Sequence, residues 1–306
     1  MSLHIKALIA LIIISVLWSS AGVTVKTLYK DFHPFVVAFI RFAIATVVML
    51  PFVRKIRITK QVLNDLVPVA LYGAANIFFF SLGIRMTTAN ATAILYTTTP
   101  LLVAIIAHKT IQENVSSQKA IGILLGFIGV LMIAFAPPLH AGRLVEGDVL
   151  GNTLIAAGVL MWSLFAIRSR FVISKGYTPL TITYIFFITT TIIFLVLSMP
   201  YMNQVQLAFL NINYLFLFFY FGIAVTVVTY VLQQWVVQQT SATTASLTNY
   251  IQVISAIILN AIFLHEKVTL LFIVASIFVV FGVFMATNAQ TMHLGRQVLS
   301  KFKKHA

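Results

Sequence analysis

The sequence predicts an all-α membrane protein: ten transmembrane helices arranged as two inverted five-helix repeats around a central cavity, with both termini cytoplasmic. Three observations lead there. First, 60% of the 306 residues are hydrophobic and only 8% are charged, whereas soluble domains are about 45–50% apolar and about 25% charged. Second, apolar runs long enough to cross a hydrocarbon core of ~30 Å recur along the whole chain. Third, the second half of the chain echoes the first. A mean hydropathy of +1.03 leaves lipid as the solvent for most of the surface. That excludes a cytosolic enzyme, a disordered chain and a secreted disulfide scaffold. The absence of cysteine removes thiol catalysis, zinc fingers and iron–sulfur clusters as well.

The spans lie near residues 5–26, 34–53, 66–84, 89–111 and 118–136, then 149–169, 179–200, 212–236, 243–264 and 268–288. Barrel strands would be shorter and would alternate apolar with polar residues, so these uniform runs are helices. The first run continues through Val23 and Val25, beyond the length of a signal-peptide core. The fourth contains Pro100, which removes a backbone hydrogen bond and predicts a kink within that span. Gly122 and Gly126 form a GxxxG pair in the fifth. Such a pair allows close helix approach, inside the chain or between two copies, so monomer and homodimer both remain open. Residues 289–306 form a basic tail suited to an anionic membrane surface.

Charge sets the orientation. The chain carries 20 Lys and Arg against 6 Asp and Glu, a formal net charge of +14. With the N-terminus inside, fourteen of the basic residues fall on cytoplasmic segments, among them Arg54, Arg57, Lys60 and Lys175. Five fall outside: Lys26, Lys30, Arg85, Arg143 and Lys267. This is the positive-inside bias of short loops, and it accounts for the basic balance without nucleic acid as a partner. Arg41 is the one clear charge well inside a span, about 10 Å from its outer end at 1.5 Å per residue.

The repeat is visible without gaps. A shift of 153 pairs Ala89 with Ala242, Glu113 with Glu266, Gly129 with Gly282 and Met132 with Met285. A shift of 144 pairs Trp18-Ser19 with Trp162-Ser163 and Lys26 with Arg170. Each half has an odd number of spans, so equivalent segments insert in opposite senses. Inverted repeats of this kind underlie many secondary transporters, in which one half rocks against the other.

Polar groups inside a bilayer are costly and therefore informative. Every carboxylate and histidine lies in or near a predicted turn, which leaves no mid-membrane proton relay and no metal site. Neutral residues remain. Trp18 in the first span, Tyr72 and Asn76 in the third, Tyr96 in the fourth and Trp162 in the sixth project polar or aromatic groups. Tyr230 and Gln233 in the eighth span, with Asn249 and Gln252 in the ninth, do the same. They are read as the substrate-binding lining of a shared cavity. Amide and aromatic groups suit neutral or zwitterionic solutes, whereas a phosphate would call for several Lys or Arg at depth. Arg41 is either an anchor for a carboxylate or phosphate, or a structural and gating residue. It is grouped with the latter, beside Pro100, Glu113 and Glu266.

These features resemble the EamA-type permeases of the drug/metabolite transporter superfamily. The resemblance runs over residues from about 5 to 288. It rests on Trp-Ser in the first helix of each half, Arg41-Phe42, Pro100, the turns at Glu113 and Glu266, and the Gly-Val pairs at Gly129 and Gly282. Pro100 has Val253 opposite it, and Arg41 has no basic counterpart in the seventh span. The resemblance implies two five-helix units, 5–136 and 149–288, and transport of a small molecule without a cofactor. The expected activity is secondary transport of a small polar metabolite, an amino acid or related compound, across a bacterial inner membrane by alternating access. A nucleoside-like metabolite such as S-adenosylmethionine, a drug, or a non-transporting scaffold or receptor are the alternatives.

Overall fold

The computed structural model describes residues 3–54, 56–87, 89–113, 115–140, 148–264 and 273–286. Those residues are helical, with no strand among them. The first half comprises α1 (Leu3–Leu28), α2 (Pro34–Val53), α3 (Lys60–Met86), α4 (Ala89–Tyr96), α5 (Thr99–Ile111) and α6 (Ser117–His140). The second comprises α7 (Val149–Ser174), α8 (Pro179–Ser198), α9 (Asn203–Leu210), α10 (Ile212–Gly222), α11 (Thr229–Gln239), α12 (Ala242–Ser246), α13 (Thr248–Leu264) and α14 (Ile273–Ala286). Among the described residues, six continuous segments are long and apolar enough to cross a membrane: α1, α2, α3, α7, Pro179–Tyr201 and Ile212–Gln239. Glu266 and the 289–306 tail lie outside the described residues.

Helix starts are written locally. Thr59, Asp148 and Thr178 cap α3, α7 and α8 with side-chain oxygens. Each oxygen accepts from an amide that has no partner inside its own helix. Pro34 and Pro179 open α2 and α8, where a missing N–H costs nothing.

Two predicted spans are divided. The fourth was expected to kink at Pro100 but remain one helix. Instead α4 ends at Tyr96, four residues before the proline, and α5 restarts at Thr99. The proline ring clashes with the carbonyl at that four-residue distance. Thr98 turns the chain, its hydroxyl donating to the Leu95 carbonyl at 2.7 Å. The ninth span has no proline, yet it divides at Leu247 between α12 and α13. Here hydroxyls compete with the helix ladder: Ser246 donates to the Thr243 carbonyl and Thr248 to that of Ala245. The stretch between α10 and α11, Ile223–Val228, is a π-turn inside one long span. Between the predicted spans 179–200 and 212–236 the chain forms α9, whose Gln204 accepts from the His33 amide at 2.7 Å.

The packing has a regular plan. α3 lies along α7, and α1 along α10 and α11; α3 meets α8 as α2 meets α10; α4 and α5 cover α7 as α13 covers α1. α2 pairs with α8, and α5 with α12. The GxxxG pair works inside the chain. A Cβ on Gly122 would come within 2.6 Å of the Gly282 carbonyl, and one on Gly126 within 2.6 Å of the Tyr250 ring. The central core is aromatic, built on Phe42, Phe165, Phe186, Phe187 and Phe194. Large apolar side chains such as Val47, Phe52, Val196, Phe216 and Ile277 point outward. Water does not tolerate so continuous an apolar surface, and lipid does.

Candidate functional site

A cavity of about 330 Å³ opens among α1, α2, α3, α4, α7, α11 and α13. Its floor is a triangle of rings contributed by three separate helices. The Trp18 and Trp162 centroids are 5.5 Å apart, and each is 5.8 Å from Tyr230, all edge-to-face. That geometry puts positive ring edges on negative faces and holds each ring by its neighbours. From the floor the cavity extends along Gly22, Phe80 and Ala256 toward the end of the bundle where α1 and α3 terminate.

The polar wall is made of amides. The Asn76 Nδ2 donates to the Tyr96 hydroxyl at 2.6 Å and to the Gly158 carbonyl at 2.9 Å. The Gln252 Nε2 donates to the Trp18 carbonyl at 3.4 Å, and the Asn249 Nδ2 to that of Ser246 at 3.0 Å. Each of these amides engages its nitrogen with the protein while its residue lines the cavity.

Arg41 also lines the cavity, although its side chain is only 6% exposed. Its Nε donates to Thr226 on the π-turn. Its guanidinium lies over the Phe221 ring at 4.2 Å and beside Phe42 at 5.0 Å. The Thr226 hydroxyl in turn donates to the Phe221 carbonyl at 2.7 Å, five residues back, the spacing of a π-turn.

Of the residues expected to form the site, Trp18, Asn76, Tyr96, Trp162, Tyr230, Asn249 and Gln252 all line this cavity. Tyr72 does not; it packs against the aromatic core. Gln233 lies beneath the triangle, donating to the Ala245 carbonyl at 3.1 Å, with its Oε1 buried and unpartnered. Pro100 is buried at the start of α5, away from the cavity wall.

A second polar cluster closes the opposite end of the bundle. The Lys119 Nζ donates to Glu113 Oε1 at 3.1 Å and to Ser241 Oγ at 2.9 Å. Glu113 also accepts from the Ala242 and Thr243 amides at 3.2 and 3.3 Å. A turn of the first half thereby holds the start of α12 in the second. Burial pushes the Glu113 carboxyl upward, but Lys119 and the hydrogen bonds outweigh it and leave the group below its usual range. Lys119 was counted in the sequence only as a loop charge. The signal that could have found it is a lysine inside an apolar run, six residues after the one acid of the preceding turn.

Basic residues also stitch helix ends. The Lys26 Nζ donates to the Thr87 carbonyl beyond α3 at 2.8 Å. The Arg170 Nη1 donates to the Val237 and Gln238 carbonyls of α11, each at 2.9 Å. Cations satisfy the carbonyls left open at helix C-termini in both cases.

The sequence pattern of the EamA-like transporter family matches residues 5–135 and, a second time, residues 149–288. An uncharacterized transporter of Clostridium kluyveri is 24% identical over 288 residues, covering 90% of this chain and 91% of its own. YoaV of Bacillus subtilis, also an uncharacterized transporter, is 22% identical, with 92% and 97% covered. One of Archaeoglobus fulgidus is 26% identical, with 93% and 98% covered. A crystal structure 16% identical in sequence superposes with a TM-score of 0.70 over 94% of this chain and 98% of that one, which shows the shared fold. With apolar helices built for lipid and two matches spanning nearly its full length, the chain belongs to the EamA-like transporter family, a multi-pass membrane transporter rather than an enzyme.

Proposed function

We propose that the protein is a secondary transporter that moves an amino acid or a related small polar metabolite across the cytoplasmic membrane by alternating access. The observation that carries this reading is the cavity itself: an aromatic triangle, amide side chains and one cation in its lining, extended toward one end of the bundle. Carbonyl acceptors suit an ammonium group and the ring faces suit an apolar side chain. The volume lies at the small end of ligand pockets, about 300–1,000 Å³. That favours a compact metabolite over a nucleoside-like one.

The inverted repeat supports the mechanism. Exchanging the halves maps the contact of α3 with α7 onto that of α11 with α1. It also maps the Lys26 contact beyond α3 onto the Arg170 contact with α11. Two five-helix units, 5–136 and 149–288, then rock about the shared site. By the positive-inside bias the Glu113 end is cytoplasmic, so this is an outward-facing arrangement with the inner end held shut.

The test is counterflow in liposomes, with the full chain reconstituted and internal amino-acid mixtures exchanged for labelled external ones. Saturable flux that Trp162→Ala lowers at least tenfold is expected. No flux of any solute under any gradient overturns the proposal.

A further inference from the structure

We propose that Arg41 is the anchor for a carboxylate on the transported solute, so that the cargo carries that group. This deepens the transport reading and rests on it.

The argument starts from charge. Arg41 is buried in the second helix, and neither of the ion pairs found among the described residues involves it. A buried cation without a counter-ion is costly in a membrane interior. Its Nε is tied to Thr226, its side chain also bonds Tyr230, and its plane is fixed against Phe221 and Phe42. Those contacts orient the guanidinium without neutralising it. Arg41 nevertheless forms part of the cavity wall, where the other polar lining residues are neutral: amides such as Asn76 and Gln252 and hydroxyls such as Tyr96 and Tyr230. One wall supplies a planar donor fork that pairs bidentately with a carboxylate. The remaining lining residues are uncharged, so Arg41 is the cavity's cation. An arginine serving only to pack two helices has no need to border the cavity, nor of a π-turn that lends it a hydroxyl.

The experiment uses the full chain in detergent and in liposomes, with matched probe pairs: L-phenylalanine and L-phenylalaninamide, and L-leucine and L-leucinamide. Intrinsic fluorescence of the cavity tryptophans reads binding, and counterflow reads transport. At least one carboxylate member binds ten times or more tighter than its amide. Arg41→Gln brings the pair within about twofold, and Arg41→Lys retains part of the preference. Thr226→Val frees the guanidinium without deleting it, weakening the carboxylate several-fold and leaving the amide unchanged. This second variant keeps the test valid if Arg41→Gln folds poorly.

Equal binding of each pair by the wild type, or an intact preference in Arg41→Gln, overturns the anchor while transport still stands. So does chloride alone producing the same fluorescence change as the carboxylates. If no pair binds or moves, the transport reading fails and the anchor with it.

Discussion

Two basic side chains are buried among the described residues, and they are handled in opposite ways. Lys119 is 2% exposed and meets a carboxylate, a hydroxyl and, through Glu113, the start of a helix. Arg41 is 6% exposed and meets aromatic rings and the hydroxyls of Thr226 and Tyr230, with no carboxylate paired to it beside a cavity. A cation whose protein supplies every partner holds structure together. A cation oriented but not neutralised has room for a partner that comes and goes.

The largest effect should come from breaking the paired site. Glu113→Ala leaves Lys119 buried and unpaired, and removing one member of a buried pair costs about 3–5 kcal/mol. Thermal unfolding in detergent should show this as a large drop in Tm. The double variant Glu113→Gln, Lys119→Met should recover most of the loss, and a cycle showing simple additivity would break the comparison.

Arg41→Met is the complementary test. Replacing an uncompensated buried charge with an apolar side chain of similar length is often neutral or stabilising. Tm should hold or rise while counterflow falls at least tenfold. A fall in Tm with flux retained would make Arg41 structural, like Lys119.

Asn76→Leu should lie between these extremes. It deletes the bonds to Tyr96 and Gly158, each worth about 1 kcal/mol net, and removes an acceptor from the cavity. Modest destabilisation and a several-fold rise in the substrate concentration for half-maximal flux are expected.

Acid should act more on the buried paired site than on the partly exposed Asp65, whose carboxyl is also lowered, by Tyr177 and Lys175. The Glu113 carboxyl is held below its ordinary value of 4.5, with burial opposing and Lys119 prevailing. Its contribution to stability is therefore complete above that value and lost as pH falls through the lowered one. Lys119 and, further off, Arg170 are the cations that face this cluster. Tm measured from pH 6 downward should fall more steeply in wild type than in Glu113→Gln.

The smallest effect belongs to the exposed pair of Lys175 and Asp65, 3.1 Å apart with Lys175 44% exposed. Lys175→Met should leave Tm unchanged within error, because solvent screens such pairs.

Much of this was legible in the chain. Trp18 and Trp162 stood out because one shift pairs them, and the structure brings their rings together. Arg41 stood out as a charge in an apolar run. Depth was less legible than facing. Tyr72 shares a helical face with Asn76 but lies one turn away, ~6 Å along the axis, packed against the aromatic core instead of the cavity. Gln233 follows Tyr230 by a turn and drops beneath the triangle to α12. Periodicity names a face and says little about how far along it a cavity reaches. The division at Leu247 was missed because proline was the only helix breaker sought, whereas serine and threonine hydroxyls did the same work.

Composition, span length and basic-residue placement by themselves determined that this chain lives in lipid as a helical bundle, because burial of apolar surface and backbone hydrogen bonding admit few other solutions there. The repeat determined which residues correspond. Only the tertiary structure decided which polar groups satisfy one another and which remain available. Pairing of that kind depends on contacts between helices far apart in the chain. Glu113 and Ala242, or Arg41 and Thr226, are neighbours only once the bundle has closed.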